Sequence, residues 1–272
     1  YLVALIKPKH FYLVLRFHGT DLTQIASSRL FRRLFDRLTD SVDLCVAPSE
    51  HFRHEINTRL NVPLSRIIKV YPDSVGEHFA APARAHGTAP NDAFIVGCVS
   101  RLEPGKNCRT LLEAFAKLSM PNKRLVLVGD GTQRAALEKM AQQLGVADIT
   151  TFKGAMPREQ LPKVLADFSV FVFPSTRESF GLVAVEALAC GVPVIANARL
   201  HAAKEYLQEG KNGYFYEGGV DELVAAIETF HAQPEAVRAA LSEHAQSVRH
   251  RFSDQRVFTQ GVNDILSQQK SE

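Results

Sequence analysis

The sequence predicts an α/β protein of two domains, each built on a parallel sheet covered by helices on both faces. Three observations predict it. Short apolar runs alternate with amphipathic stretches of helical period along nearly the whole chain. Most of the runs are continuously apolar, as strands buried on both faces require. The length of 272 residues exceeds one ordinary domain, for which about 100–200 residues are typical. A Pro-, Ala- and Gly-rich stretch from His78 to Asp92, without any period, divides the series of elements.

In the first series, Tyr12 to Phe17 reads as a strand, followed by a single helix from about Leu22 to Leu38. Within it, Leu30, Phe31, Leu34, Phe35 and Leu38 recur at helical spacing and are expected to face the core, with the arginines outside. Asp43 to Ala47 is a second strand, Ser49 is placed to cap a helix from about Glu50 to Leu60, and Ile67 to Tyr71 is a third strand. The second series has strands at Ala93–Val99, Leu125–Val128, Ile149–Phe152, Val170–Phe173, Val192–Ala196 and Tyr214–Phe215. Helices are expected at about Thr110–Ser119, Gln133–Leu144, Arg158–Ala166, Phe180–Cys190 and Val220–Phe230, with a mostly helical tail from Pro234 to Gln269.

The balance of 32 Lys+Arg against 29 Asp+Glu excludes a concentrated basic stripe of the kind duplex DNA requires, so no nucleic-acid partner is expected. The small excess is uneven. Residues 1–90 hold 12 Lys/Arg and 8 Asp/Glu, an excess that is either an ordinary solvated basic surface or a local attraction for an anionic membrane or a phosphate-bearing partner. Four cysteines without a CxxC pair or a Cys/His zinc spacing argue against a disulfide scaffold or structural zinc and for a cytoplasmic protein. No apolar run reaches the 18 or so residues that cross a bilayer. No GxxxxGK[ST] loop is present, which disfavours a P-loop nucleotidase.

Open parallel sheets bind ligands at the carboxyl ends of their strands, beside helix N-termini. Three junctions place chemistry there. After the strand ending at Val99, Arg101 and Lys106 flank the next helix start and form a natural diphosphate site, or else a solvated capping turn. After Phe173, a polar turn carries Glu178 and Ser179, and Gly181 opens a helix where Glu186 is the only charge. The two carboxylates lie roughly 10–12 Å apart if helical at about 1.5 Å per residue. That matches a nucleotide sugar, with its diphosphate at the helix start, its sugar near Glu178 and its ribose near Glu186. The other reading of Glu186 is an ion pair within the fold. The third junction delivers His18 into a Gly-containing turn with Asp21 as a cap; a lone His here is catalytic or simply structural. Gly129-Asp130-Gly131 marks a tight turn where backbone can approach a ligand.

In order along the chain, Ser100-Arg101-Leu102…Gly105-Lys106-Asn107, Leu111-Leu112-Glu113-Ala114-Phe115, Val128-Gly129-Asp130-Gly131, Phe152-Lys153-Gly154, Pro174-Ser175…Glu178-Ser179-Phe180-Gly181, Glu186…Cys190-Gly191-Val192-Pro193-Val194 and Asn212-Gly213 resemble the retaining GT-B glycosyltransferases of the family 4 type. Glu178 and Glu186 match that family's E-x7-E motif. The resemblance implies a GT-B fold of two Rossmann-like domains: an acceptor-side domain over 1–90, a donor domain over 91–250, and a last helix, within 251–272, crossing back to the first. It implies transfer of a sugar, with retention of configuration, from a nucleotide-diphosphate-sugar donor to a glycan or lipid-linked acceptor. Arg101 and Lys106 would bind the diphosphate and stabilise the leaving group. Glu178 would hold sugar hydroxyls and Glu186 the ribose. Gly129, Asp130, Ser179, Phe180, Gly181 and Leu182 would line the donor, and His18 would sit by the reacting sugar.

The family needs no metal and no further cofactor, and this sequence has no Asp-x-Asp of the metal-dependent architecture. Departures stand out too. Asn197 to Glu205 lacks the usual Gly-Gly pair, Tyr71-Pro72-Asp73-Ser74-Val75 replaces an Asn-Gly-Val hinge, and the βα units that precede the His18 strand in the family are absent. The N-terminal domain is therefore expected to be incomplete. A non-catalytic nucleotide-sugar-binding fragment and another GT-B chemistry, such as epimerisation or phosphorolysis, are the competing readings. The basic, aromatic helix around Arg29, Arg32 and Arg33 adds peripheral attachment to an anionic membrane as a further partner.

Overall fold

The computed structural model describes residues 12–71, 75–80 and 93–269. Two compact units make up the chain: Tyr1–Ser74 with Glu178–Phe180 and Asp254–Glu272, and Val75–Arg177 with Gly181–Ser253.

In the first unit, β1 (Val14–Arg16), β2 (Leu44–Ala47) and β3 (Ile67–Lys69) form a parallel sheet in the order β1-β2-β3. The central strand β2 is buried at every residue, which its unbroken Leu-Cys-Val-Ala run requires. The helices are α1 (Thr20–Ser27), α2 (Arg29–Thr39) and α3 (Glu50–Leu60), and α10 (Asp254–Gln269) belongs to the same unit. As expected, Ser49 caps α3, its hydroxyl accepting from the Phe52 amide at 3.2 Å.

The single helix expected from Leu22 to Leu38 is corrected to two. Ser28 adopts an extended conformation (φ −109°, ψ 120°), and its hydroxyl caps α2 by accepting from the Phe31 amide at 3.4 Å. A Ser in that conformation stops one helix and starts the next. Phe35 is buried and meets Phe17 edge-on at 6.2 Å, but Leu30 is 65% and Phe31 43% exposed, contrary to their expected place in the core. Arg32 is also displaced from its expected outward role. It donates to the Arg59 carbonyl at 2.5 Å and the Leu60 carbonyl at 3.4 Å, capping the C-terminus of α3.

The second unit is an open, all-parallel sheet of six strands. They are β4 (Phe94–Val99), β5 (Lys123–Val128), β6 (Thr150–Gly154), β7 (Val170–Phe173), β8 (Val194–Asn197) and β9 (Gly213–Tyr216), in the order β6-β5-β4-β7-β8-β9. The helices are α4 (Cys108–Lys117), α5 (Arg134–Gln143), α6 (Leu161–Leu165), α7 (Leu182–Ala189), α8 (Val220–His231) and α9 (Glu235–Arg251). Residues such as Leu111, Leu112, Phe115 and Phe230 are fully excluded from water, each contributing about 1.5–3 kcal/mol of burial.

Strand order is what positions the site. From β4 the chain steps outward to β5 and β6, then returns to lay β7 against the other side of β4. The direction of winding reverses between β4 and β7, and such a switch point opens a crevice at the carboxyl ends of the two strands. The linker expected over His78–Asp92 begins in a 3-10 turn at Glu77–Ala80, while residues 81–92, and residues 72–74 of the departing hinge sequence, lie outside the described residues. No helix among the described residues is long and apolar enough to cross a membrane.

Candidate functional site

Arg101 and Lys106 emerge from β4, at one edge of the switch point. Buried Leu102 anchors their loop, and Pro104–Lys106 tightens into a 3-10 turn closed by the Lys106 amide donating to the Glu103 carbonyl at 2.9 Å. Arg101 is left exposed and Lys106 half-buried. Asn107, in the left-handed region at φ 57°, donates from Nδ2 to the Pro174 carbonyl at 3.4 Å, tying this loop to the one after β7. Arg101, Lys106 and the N-terminus of α4 thus follow one another at the carboxyl end of β4. Cys108 stands at the first turn of α4. A hydrogen bond with the Cys98 thiol, then the Ser100 hydroxyl at 3.4 Å and the Lys106 charge, lower its thiol pKa against the opposing effect of burial.

The loop after β5 braces this one. The Leu102 amide donates to the Asp130 carbonyl and the Gln133 amide to the Leu102 carbonyl, both at 2.9 Å. Thr132 donates its hydroxyl to Glu103 at 2.6 Å, holding that carboxyl below its usual range. Gly129, at φ 130°, is where the two backbones come closest: a Cβ there would lie 1.9 Å from the Ser100 carbonyl oxygen. The close approach that Gly129 permits is therefore to the Arg101 loop. The Asp130 carboxylate accepts from the Gly131 amide at 2.8 Å and pairs with Arg134 at 3.2 Å.

Across the switch point, β7 ends at Phe173 and α7 starts after Gly181, which is left-handed (φ 93°, ψ 50°) with no side chain capping the helix. A Cβ on Gly181 would stand 2.6 Å from the Phe173 ring and 2.7 Å from the Tyr206 hydroxyl, so only glycine brings the helix start this close to the strand. Its first-turn amides, of which Leu182 carries the first, lie at the positive end of the helix. Glu186, on the same helix, is only 3% exposed, and Arg158 pairs with it, Nε to Oε1 at 2.5 Å. The ion pair that the sequence allowed is present. A carboxylate among Val185, Ala187 and Leu188 needs such a partner to stay ionised.

Glu178–Phe180 belong to the first unit, and its residues hold them. The Ser179 hydroxyl donates to the His18 carbonyl and the Ser49 hydroxyl to the Ser179 carbonyl, each at 2.8 Å. Phe180 is buried, with its ring 5.6 Å from that of Tyr71. His18 itself is exposed. Its turn is organised by Asp21, whose carboxylate accepts from the amides of His18 (2.8 Å), Gly19 (2.8 Å) and Leu22 (2.7 Å). Within this unit, then, the structure brings together His18 and the segment carrying Glu178.

Sequence reasoning missed Arg158, the tie from Asn107 to the Pro174 carbonyl and the second role of Ser49. Arg158 gave no signal of its own, being one of many polar residues after β6, whereas a buried Glu186 did imply that some cation must meet it. The segment from Asn197 to Glu205, which departs from the family pattern, ends in a 3-10 turn at His201–Glu205 with Ala202 and Ala203 fully buried. Among the described residues, no three His, Cys, Asp or Glu side chains cluster closely enough to hold a metal ion.

Residues 81–248 match the family described as glycosyl transferases group 1. A D-inositol 3-phosphate glycosyltransferase of Mycolicibacterium smegmatis is 33% identical over 220 residues, covering 77% of this chain and 50% of that protein. A GDP-mannose-dependent alpha-(1-6)-phosphatidylinositol monomannoside mannosyltransferase of the same organism is 37% identical over 158 residues, 54% of this chain and 41% of that protein. Among solved structures, Anabaena HepE in complex with UDP and glucose superposes with a TM-score of 0.75 at 25% identity, over 94% of this chain and 71% of that one. The chain spans about half the length of the curated relatives it matches. Its parallel-sheet α/β architecture is that of the GT-B glycosyltransferases, and the chain belongs to the glycosyl transferases group 1 family.

Proposed function

We propose that this chain carries the donor site of a glycosyltransferase that moves a sugar from a nucleotide-diphosphate sugar to a glycan or lipid-linked acceptor, with retention of configuration and without a metal. The observation that carries the reading is the crevice between β4 and β7, with Arg101 and Lys106 at one edge and the uncapped start of α7 at the other. The proposed division of work follows from the chemistry of each group. Arg101 and Lys106 take the diphosphate and neutralise the charge that grows on it as the glycosidic bond breaks. The backbone of Phe180, Gly181 and Leu182 meets the phosphate or sugar, and Ser179 holds that segment. Gly129 and Asp130 serve the donor indirectly, by bracing the loop that carries Arg101. Glu178 accepts from sugar hydroxyls, Glu186 from the ribose, and His18 stands by the reacting sugar. The UDP complex of HepE, a protein of similar fold, supports a nucleotide donor.

Titration calorimetry with UDP, GDP and ADP tests it. One of the three is expected to bind the wild-type chain and to lose at least about tenfold affinity in Glu186→Gln. Equal binding by both proteins, or none by either with α/β circular dichroism intact, overturns the reading.

A second reading concerns the first unit. Leu30 and Phe31 are exposed on α2, and Arg29, Arg33 and Arg37 lie exposed on the same helix. An apolar pair beside a stripe of three arginines suits the interface of an anionic membrane, at about 1 kcal/mol per basic residue near the surface. Because Arg32 is committed to α3, the informative variant neutralises Arg29, Arg33 and Arg37 to Gln. Co-sedimentation with phosphatidylglycerol vesicles is expected to fall in that variant, and unchanged sedimentation removes the membrane from the reading.

A further inference from the structure

The ion pair between Arg158 and Glu186 joins two separate elements of the second unit. Arg158 opens the short turn that follows β6 and leads into α6, whereas Glu186 lies in the middle of α7. The guanidinium is also 5.7 Å from the centre of the Phe79 ring, itself fully buried, and Cys190, one turn beyond Glu186, donates its thiol to the Phe79 carbonyl at 3.6 Å. Burial, and then the charge of Glu186, push the Cys190 thiol up to about 12, so it stays a neutral donor to that carbonyl. One carboxylate is thus held by an arginine that is itself held against an aromatic ring.

Geometry decides what such an arrangement does. A lone carboxylate on a buried helix face protonates or swings toward water. A charge-assisted bond at 2.5 Å to Nε instead fixes one oxygen and keeps the group ionised. An ionised, immobile carboxylate is the acceptor that two vicinal hydroxyls can use.

Resting on the donor-site reading of Glu186, we propose that Arg158 is a positioning residue for nucleotide recognition: by pinning and ionising Glu186, with the Phe79 ring behind it, Arg158 sets how strongly the site distinguishes ribose from deoxyribose in a nucleoside diphosphate.

The experiment measures calorimetric affinity of the whole chain for UDP, GDP and ADP and for their 2′-deoxy and 3′-deoxy counterparts. Discrimination is the ratio of deoxy to ribo dissociation constants for whichever nucleotide binds. Wild type is expected to discriminate by about tenfold or more, the loss expected when a charged acceptor forfeits its donor. Glu186→Gln should bring the ratio near one, Arg158→Gln should reduce it at least about fivefold, and Arg158→Lys should recover part of it by restoring charge without the Nε fork. The Arg158→Gln/Glu186→Gln double variant should be no worse than Glu186→Gln alone.

A purely structural ion pair would lower the melting temperature of Arg158→Gln and leave the ratio at its wild-type value, which overturns the proposal. If Arg158→Gln fails to fold, Phe79→Leu removes the ring and leaves both charges in place. A ratio reduced about twofold or more in Phe79→Leu supports the proposal, and an unchanged ratio overturns it. Glu186→Gln keeping full discrimination, or wild type showing none, defeats the ribose reading itself and the proposal with it. Loss in Glu186→Gln but not in Arg158→Gln defeats the role of Arg158 alone.

Discussion

The Ser179 hydroxyl donates to the carbonyl of His18 at 2.8 Å, joining residues 161 positions apart in sequence. Ser49 extends the tie, because its own hydroxyl donates to the Ser179 carbonyl while also capping α3. The turn that presents His18 is therefore fixed from within by Asp21 and from outside by Ser179. Replacing Ser179 by Ala removes the outer tie only. Amide exchange across His18–Leu22 should rise, while the unfolding free energy from urea denaturation falls by no more than about 1 kcal/mol. Unchanged exchange there would show that Asp21 alone organises the turn.

Ser49→Ala should cost more, because a buried side chain loses both a cap and a long-range bond. We expect about 1–2 kcal/mol in urea denaturation. Ser49→Thr, which keeps a hydroxyl, should recover part of it. A cost near zero would mean that neither bond contributes.

Gly129→Ala should be among the most damaging small substitutions in the second unit. The new Cβ would meet the Ser100 carbonyl oxygen at 1.9 Å, with φ at 130°. Backbone must move to relieve it, at about 1–3 kcal/mol for the overlap and of the same order again for the strained dihedral. Gly145→Ala, where nothing stands within 4 Å of the added carbon, serves as the control for a left-handed glycine alone. Equal costs at both positions would refute the loop-packing role of Gly129.

Neutralising Arg101 or Lys106 should weaken nucleoside diphosphate binding by roughly one to two orders of magnitude, as expected for a lost charge-assisted contact to phosphate. The nucleoside lacking phosphates should bind wild type and both variants alike. Arg101→Lys should not restore affinity fully, because a point charge lacks the planar fork. Full affinity in Arg101→Gln would remove that residue from the site.

His231 gives a pH dependence of known sign. Its ring lies 4.7 Å from that of Phe94, and burial, then the neighbouring Arg238 charge, lower its pKa from the usual 6.5. The unfolded chain takes up a proton near 6.5 while the folded chain resists, so this contribution to stability is intact above 6.5 and shrinks as the pH falls toward the lower folded value. His231→Gln should flatten the fall of the melting temperature below pH 6.5. A parallel fall in both proteins would assign the acid sensitivity to other groups.

Much of the fold was legible because strands and helices declare themselves over a few residues. Leu44–Ala47 reads as a buried strand and Ser49 as a cap from side-chain chemistry alone. The helix break at Ser28 was not legible: the apolar period runs on through Ser27 and Ser28, and only the turn in the backbone separates α1 from α2. The exposure of Leu30 and Phe31 was not legible either, since of the apolar residues at helical spacing only Phe35 ends up buried. At the site, the polar residues following β4 and β7 could be picked out because ligand groups in such sheets follow strand ends. Their partners could not, because Arg158 and Glu186 or Ser179 and His18 share no local pattern.

By itself the sequence determined the alternation of strand and helix, the burial of the strands and which junctions carry charge, all properties of short segments with their own conformational preferences. Only the tertiary structure decided that β7 returns to lie beside β4, and so that the Arg101 loop and the start of α7 open on one crevice. It also decided that the buried charge of Glu186 is answered by Arg158 and that Ser179 reaches His18. Those pairings bring together groups far apart in the chain. Their energy depends on which surfaces meet, and no short stretch of sequence specifies that.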